Sequence, residues 1–421
     1  MLQSIVNPAC RGRFVRARGV ALNQAFGSDM DHLTEKAEHL RVIGHHDLGG
    51  YGDGMQVMRE GDALYVGHFG PSGMGTSVLD ASDPTDLRLV EQWPAPQGSH
   101  THKVQVADGL LLVNQERFRG GEPYAAGMAV YSLEDPFAPR PIGYFRSTGY
   151  GVHRIVWTGG DYAYVSAIPD GFDDRIFVIV DMRDPEHPVE AGRWWWPGMH
   201  TAGGETPTWP DGARFAAHHA LLDGDIAYLG FDDAGMVILD VSDKSAPKQL
   251  STIDWEGVHS THTCLPLPGR GVVVTTDEEV KDKVERGERR IHTVDVSDPT
   301  APRVLATLPS PGLEEFGQKG LRFGPHNLHE NRPGSYRSAE VVFATYFNAG
   351  VRVYDLGDAE RPREIASWVA AAPAGHEAAQ INDLFVARDG LVYVTDRVAG
   401  GVYVLEPDTE LRERMDAAAL D

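Results

Sequence analysis

Apolar and polar residues alternate along this chain in short runs that glycine and Asp-Pro break, and the same run keeps returning. The copies are "SVLDASDPTDL", "AVYSLEDPFAP", "VIVDMRDPEHP", "VILDVSDKSAP", "HTVDVSDPTAP" and "RVYDLGDAERP", with a weaker seventh in "VYVLEPD". Period-two alternation predicts a strand, the aspartate turn ends it, and a second alternating run such as "RLVEQW" or "REIASW" follows. Upstream of each copy lies another pair of runs split by a tight glycine turn, as in "HKVQVADGLLLVNQ" and "HRIVWTGGDYAYVSA". Each repeat therefore predicts four strands.

The turn aspartates are Asp83, Asp135, Asp184, Asp243, Asp298, Asp358 and Asp408, spaced 49 to 60 residues apart. That spacing fits one four-stranded propeller blade with variable loops. The predicted fold is all-β, a seven-bladed β-propeller over residues 40–408, with an N-terminal extension (1–39) and a C-terminal tail (409–421). The seventh copy is short by one strand. "LRVIGHHDL", residues 40–48, has the pattern of an outer strand placed ahead of the first blade, so it is expected to close the ring beside residues 401–407. Closure of that kind removes exposed sheet edges.

The "VIVD" and "VILDVSD" copies resemble the LVIVD-repeat β-propellers, and their arrangement is similar to that of the selenium-binding protein family, which includes copper-dependent methanethiol oxidases. The resemblance spans residues 40–408 through its repeat. It implies the fold, and a hub that can hold a metal through histidines; it carries no activity, because the repeat is structural.

Composition narrows the function classes. Of 421 residues 42% are hydrophobic, enough for a large core, and the formal net charge of −23 is spread along the chain. That distribution argues against a nucleic acid or an anionic membrane as partner. Cys10 and Cys264 are too few and too far apart for a disulfide framework or a thiolate zinc site. No leader-like or bilayer-length apolar run stands out, and a cytoplasmic location is expected.

The candidate chemistry lies in "SHTHKVQV", residues 99–106, where His100 and His102 stand at the head of a strand. One histidine at a strand end is most often a satisfied packing residue. Aligning the innermost strands changes that reading. They begin at His102, His153, His218 or His219, His262 and His326, whereas the seventh offers Asn382 and the first Asp53. Histidine has no special fitness for a strand start, yet it recurs at one position while its neighbours diverge. Equivalent residues of innermost strands face one another across a propeller axis. His102, His153, His219, His262 and His326 are therefore the predicted metal set, three or four of them binding one divalent transition ion and leaving an open position.

Loop lengths point to the same end of the molecule. Turns at the far end are short, whereas the histidine end carries 116–127, 197–215, 277–290, 310–324 and 370–380. Long loops over one face of a rigid scaffold mark the functional face. Glu116, Glu278 and Tyr346 are the candidate catalytic residues there, with Asp232, Asn348, His200 and His376 as further candidates. Residues 197–215 and 310–324 are expected to cover the mouth.

An all-imidazole shell suits Fe, Mn or Cu, and also Zn, better than Mg or Ca. The leading expectation is a metal-dependent oxidoreductase or oxygenase acting on a small organic molecule. A metal-assisted hydrolase or lyase, and a non-enzymatic metal-binding or protein-interaction propeller, are the alternatives.

Overall fold

The alternating runs become strands, and the aspartate turns explain why the repeat has the sequence it has. The computed structural model describes residues 30–420 apart from 71, 119–125, 283, 285 and 286. Cys10 and parts of the loops 116–127 and 277–290 lie outside them. Nearly all the regular structure is antiparallel sheet. One four-stranded unit runs Gly54–Glu60, Ala63–His68, Met74–Asp80 and Arg88–Pro94, each strand paired with the next. Later units begin at Ala220–Asp223 and Thr261–Leu267 and repeat the order. The largest sheet has nine strands. It consists of two such units, starting at Val104–Ala107 and Gly151–Val156 and joined by the Gly151–Glu116 pair, with the short strand Ser99–His100 added on Leu110–Arg117.

In each repeat the turn aspartate accepts a hydrogen bond from the backbone N–H two residues on: Asp83 from Thr85 at 2.9 Å, Asp243 from Ser245 at 3.0 Å, Asp298 from Thr300 at 2.9 Å. Asp408 departs from this pattern. It caps the helix Thr409–Ala418 by accepting from the Leu411 N–H at 3.0 Å. The turns then dock on the outer strand of the preceding unit. A Cβ on Gly44, Gly143 or Gly192 would fall 2.0, 2.1 or 2.2 Å from the carbonyl oxygen of Pro84, Pro185 or Lys244. Only glycine permits that backbone approach.

Leu40–His46 pairs antiparallel with Gly401–Pro407, the outer strand of the unit containing Ile381–Val386 and Val392–Asp396. Thr34–Glu38, within the N-terminal extension, adds to the edge strand Arg363–Ala370. Gly54–Glu60 packs between Ile381–Val386 and Val104–Ala107. Hydrogen bonds cross both seams: Asn382 Nδ2 donates to the Met55 carbonyl at 2.7 Å, and the Val104 N–H to Gln56 Oε1 at 3.0 Å. The apolar faces between units are filled by buried side chains such as Val66, Ile179, Leu239 and Trp368. Trp194 and Trp196 pack on Phe231 of the next unit. No described helix is long and apolar enough to cross a membrane.

Gly143→Val tests the docking of turn on strand. The added side chain meets the Pro185 carbonyl and is expected to cost about 1–3 kcal/mol, read as a lower urea midpoint; an unchanged midpoint would show that the contact yields freely.

Candidate metal centre

The innermost strands carry an irregularity that aims their first residues. In four units the ladder slips by one residue at the same place, so that Met55, His153, His262 and Asn382 are each an extra residue. Such bulges turn side chains out of the regular alternation. After the slip at His262 the Thr263 N–H is accepted by Thr276 on the neighbouring strand at 3.2 Å. The N–H groups that follow His102 and His326, those of Lys103 and Asn327, are met likewise by Asn114 and Thr345 at 2.8 and 3.0 Å.

Two layers result. The upper holds His102, His153, His218, His262 and His326, whose ring centroids follow one another at 5.0, 5.2, 3.5 and 4.3 Å. Hydrogen bonding fixes the equivalence of the fourth unit. The His218 N–H donates to the Gly230 carbonyl at 2.8 Å as the His326 N–H donates to that of Thr345 at 2.9 Å. His218 is thus the counterpart of the other four, and Met55 rather than Asp53 stands in the first unit. His219 sits one step on, in the layer of Lys103, Arg154 and Asp383, yet it stays in the cluster: its Nδ1 lies 2.7 Å from that of His218.

Hydrogen-bond partners assign the protons on these rings. Glu116 Oε2 accepts from His100 Nε2 and from His153 Nδ1, both at 2.7 Å. His153 therefore turns a lone pair at Nε2 toward His218 Nε2, 3.4 Å away. His326 Nδ1 donates to the Asn382 carbonyl at 2.6 Å, which leaves its Nε2 unprotonated, and His262 Nδ1 lies 3.1 Å from Thr263 Oγ1. The Nε2 atoms of both rings face the Glu278 carboxylate, at 3.6 and 3.7 Å. His102 is the exception, because its Nδ1 accepts from Asn114 Nδ2 at 3.3 Å and Nε2 carries the proton.

Three groups have ligand atoms within 4.8 Å of one another and are placed to hold a metal ion: His218, His219 and His262; His262, Glu278 and His326; His100, His102 and Glu116. His219 Nε2 is buried with no hydrogen-bond partner. Burial holds His102, His218, His219, His262 and His326 well below the ordinary imidazole range, and neighbouring positive groups add to it. His153 is pushed down to about 3, chiefly by burial. For Glu116, burial acts upward, but its interactions with the His153 and His100 rings outweigh it and hold the carboxyl well below the usual carboxylate range.

Beneath the rings lies a layer that the repeat pattern does not single out. Lys103, Arg154, Glu330, Arg332 and Asp383 are all at least 94% buried. Arg154 Nη2 donates to Glu330 Oε1 at 2.8 Å, and Arg332 Nη2 to the Trp157 carbonyl at 2.7 Å. Burial lowers Lys103 and raises Asp383. Cavities of about 640 and 450 Å³ open at the short-turn end, away from the histidines, and Arg332 borders both.

The other candidates are dispersed. Tyr346 packs its ring on Phe323 in an apolar layer with Leu328 and Ala349. Asp232 pairs with Arg214 at 2.9 Å and Arg175 at 3.5 Å. Asn348 holds the loop 310–324 through the carbonyls of Phe316 and Gly320, at 3.0 and 2.9 Å. That loop brings Arg322 to Glu278, 2.9 Å from its Oε1. His200 stacks on Phe172, and His376 is exposed.

A family model described as the LVIVD repeat matches residues 151–194 and 217–254. No curated protein sequence matches the chain. Three solved structures share its form. The periplasmic gluconolactonase PpgL of Pseudomonas aeruginosa is 13% identical with a TM-score of 0.53, over 81% of this chain and 93% of that one. A protein from Lactobacillus plantarum gives 13% and 0.51, over 84% and 98%. The computationally designed Ika8 protein gives 10% and 0.50, over 86% and 98%. With these matches the chain is a repeat β-propeller. They carry the repeat and the fold, and not the likeness to selenium-binding proteins.

The buried histidines make stability depend on acid. Between about pH 6.5, where unfolded imidazoles titrate, and the values near 4 of His292 and His329 and near 3 of His153, the unfolded chain binds protons that the native chain does not. Stability therefore rises with pH across this window and is lost as pH falls through it, at up to about 1.4 kcal/mol per histidine per pH unit. The buried Asp277 and Asp383, raised by burial, act oppositely but are outnumbered. The urea midpoint of metal-free protein should drop steeply from pH 6.5 to 4.5; a flat profile would contradict neutral buried rings.

Proposed function

We infer that this chain is a metal-dependent enzyme, built as a seven-bladed ring closed by Leu40–His46, with a transition-metal centre at the histidine end of its axis. One observation carries the reading. The Nε2 lone pair of His326, whose Nδ1 proton is held by the Asn382 carbonyl, and the Nε2 of His262 both face the Glu278 carboxylate, at 3.6 and 3.7 Å. Arg322 meets one oxygen of that carboxylate, and a cation between the carboxylate and the two rings would take up the lone pairs the guanidinium leaves. Two imidazoles and one carboxylate with open positions suit Fe(II), and the same donors accept Mn or Cu. His218 completes the set from the adjoining unit, and His219 offers its unpartnered Nε2.

Such an ion supplies redox chemistry on a small organic substrate, and oxidoreductase is the class this donor set supports best. Within the chain, Glu116 accepts from His153 Nδ1 at Oε2 and so keeps that ring in its required tautomer. Arg322 orients Glu278. A hydrolytic reading is favoured by one finding, the gluconolactonase among the structural neighbours, since a Lewis-acid ion that activates water serves ester or lactone opening equally well. Exchange of the ion separates the two: hydrolysis survives replacement by Zn, and redox turnover does not.

Untagged protein is expected to hold close to one transition-metal ion per chain. His262→Ala and Glu278→Gln should each weaken binding by roughly tenfold or more while far-UV circular dichroism stays unchanged, and His376→Ala should have no effect. Full metal content in a His262→Ala, His326→Ala double variant would contradict the centre.

A further inference from the structure

We propose that the histidine-bearing mouth recognises a substrate monoanion, a carboxylate, through the guanidinium of Arg397. The proposal rests on the metal-centre reading for what happens next to the anion, but not for the binding itself. Arg397 follows the inner-unit strand Val392–Asp396 at its histidine end. Its guanidinium carbon lies 4.9 Å from the centroid of Phe69 and 5.9 Å from that of Phe347. These two rings mark its position in the mouth. Phe347 stacks on His326 at 4.8 Å, and Phe69 lies 6.4 Å from His100. The guanidinium thus sits at the rim between the two ends of the histidine arc.

What distinguishes Arg397 is that its charge is uncommitted. Arg322, the other guanidinium over Phe347, is paired with Glu278. Arg175 and Arg214 share Asp232. Among the described residues no carboxylate forms an ion pair with Arg397, and no acceptor takes a hydrogen bond from its guanidinium, which contacts the rings of Phe69 and Phe347. The adjacent Asp396 is occupied by the backbone N–H groups of Gln380 at 2.8 Å and Val398 at 2.7 Å. Burial lowers the guanidinium only to about 10, so it stays cationic at neutral pH. A half-buried cation with aromatic contacts and no counter-ion leaves its in-plane N–H fork free, and that fork matches a carboxylate. Phe347 is held with φ at 45°, a backbone conformation that costs a bulky residue and persists where the surroundings impose it.

The charge count favours a monoanion over phosphate. One guanidinium is free, and Glu278, Asp396 and Asp282 all act on it electrostatically. A dianion would meet their repulsion with a single counter-charge. In a chain of net charge −23, this local positive spot also gives an anion a reason to approach the mouth.

The test uses metal-free, full-length protein with benzoate, its neutral isostere benzamide, and inorganic phosphate as probes, followed by titration calorimetry. Benzoate should bind at least tenfold more tightly than benzamide and more tightly than phosphate. Arg397→Gln should weaken benzoate at least tenfold and leave benzamide unchanged, with Arg397→Lys between. Equal affinities for benzoate and benzamide, an unaffected Arg397→Gln variant, or phosphate as the tightest probe would each overturn the proposal. If Arg397→Gln fails to fold, the wild-type probe ranking and Arg397→Lys decide. Metal titration of the same samples keeps the readings apart: benzoate selectivity without metal binding sinks only the centre, and metal binding without selectivity sinks only the anion site.

Discussion

A single extra residue in the innermost strands shapes everything at the axis of this propeller. Regular alternation would send one of any two consecutive side chains into the sheet interface. The slip at His153, His262 and Asn382 breaks that alternation, and histidines gather above a layer of Lys103, Arg154 and Asp383. At His262 the slip displaces the next backbone N–H, that of Thr263, which Thr276 accepts through its side chain; without that partner a buried donor would be left unsatisfied, at about 1–3 kcal/mol. Asn114 and Thr345 do the same for the N–H groups that follow His102 and His326.

The two layers pull against each other electrostatically. Lys103 and Arg154 lie beneath the rings, and their field helps to hold His219 and His262 neutral. Neutral rings keep the lone pairs a metal needs, but the same field opposes the arrival of a cation. Glu116 and Glu278 supply the compensation from beside the rings rather than below them. In the centre proposed for this site, a cation would lie beside these carboxylates, with the guanidinium of Arg397 as positive potential for an anionic ligand.

Much of this is legible in the sequence where the chemistry is local. An aspartate that bonds the N–H two residues on recurs because the turn needs it, so the repeat can be read from "SDPT" and "EDPF" alone, and the pairing of "LRVIGHHDL" with Gly401–Pro407 follows from the strand the last copy lacks. The histidines are legible because they recur at one register. What the pattern does not resolve is the bulge: an extra residue makes His218 and His219 indistinguishable by alternation, and only the bond from His218 to Gly230 separates them. The strand Ser99–His100 lies ahead of its unit's inner strand, so His100, though it stands out beside His102 in "SHTHKVQV", falls outside the aligned register. Lys103 and Arg154 immediately follow the histidines, and that adjacency is the signal in the sequence for the charged layer. Tyr346 ends a strand facing the apolar layer, so its place near the mouth in sequence does not carry into space. Arg397 and Arg322 belong to no repeat position, and nothing in the pattern singles them out.

The central claim is that buried imidazoles at the propeller axis ligate a transition-metal ion. X-ray absorption at the metal edge of protein purified without a histidine tag addresses it directly. The account predicts a first shell containing at least two imidazole nitrogens at about 2.0–2.1 Å, with the outer-shell scattering of their rings, and loss of that scattering in the His262→Ala, His326→Ala double variant. A shell of oxygen or sulfur alone, or an imidazole signal unchanged in that variant, would contradict it.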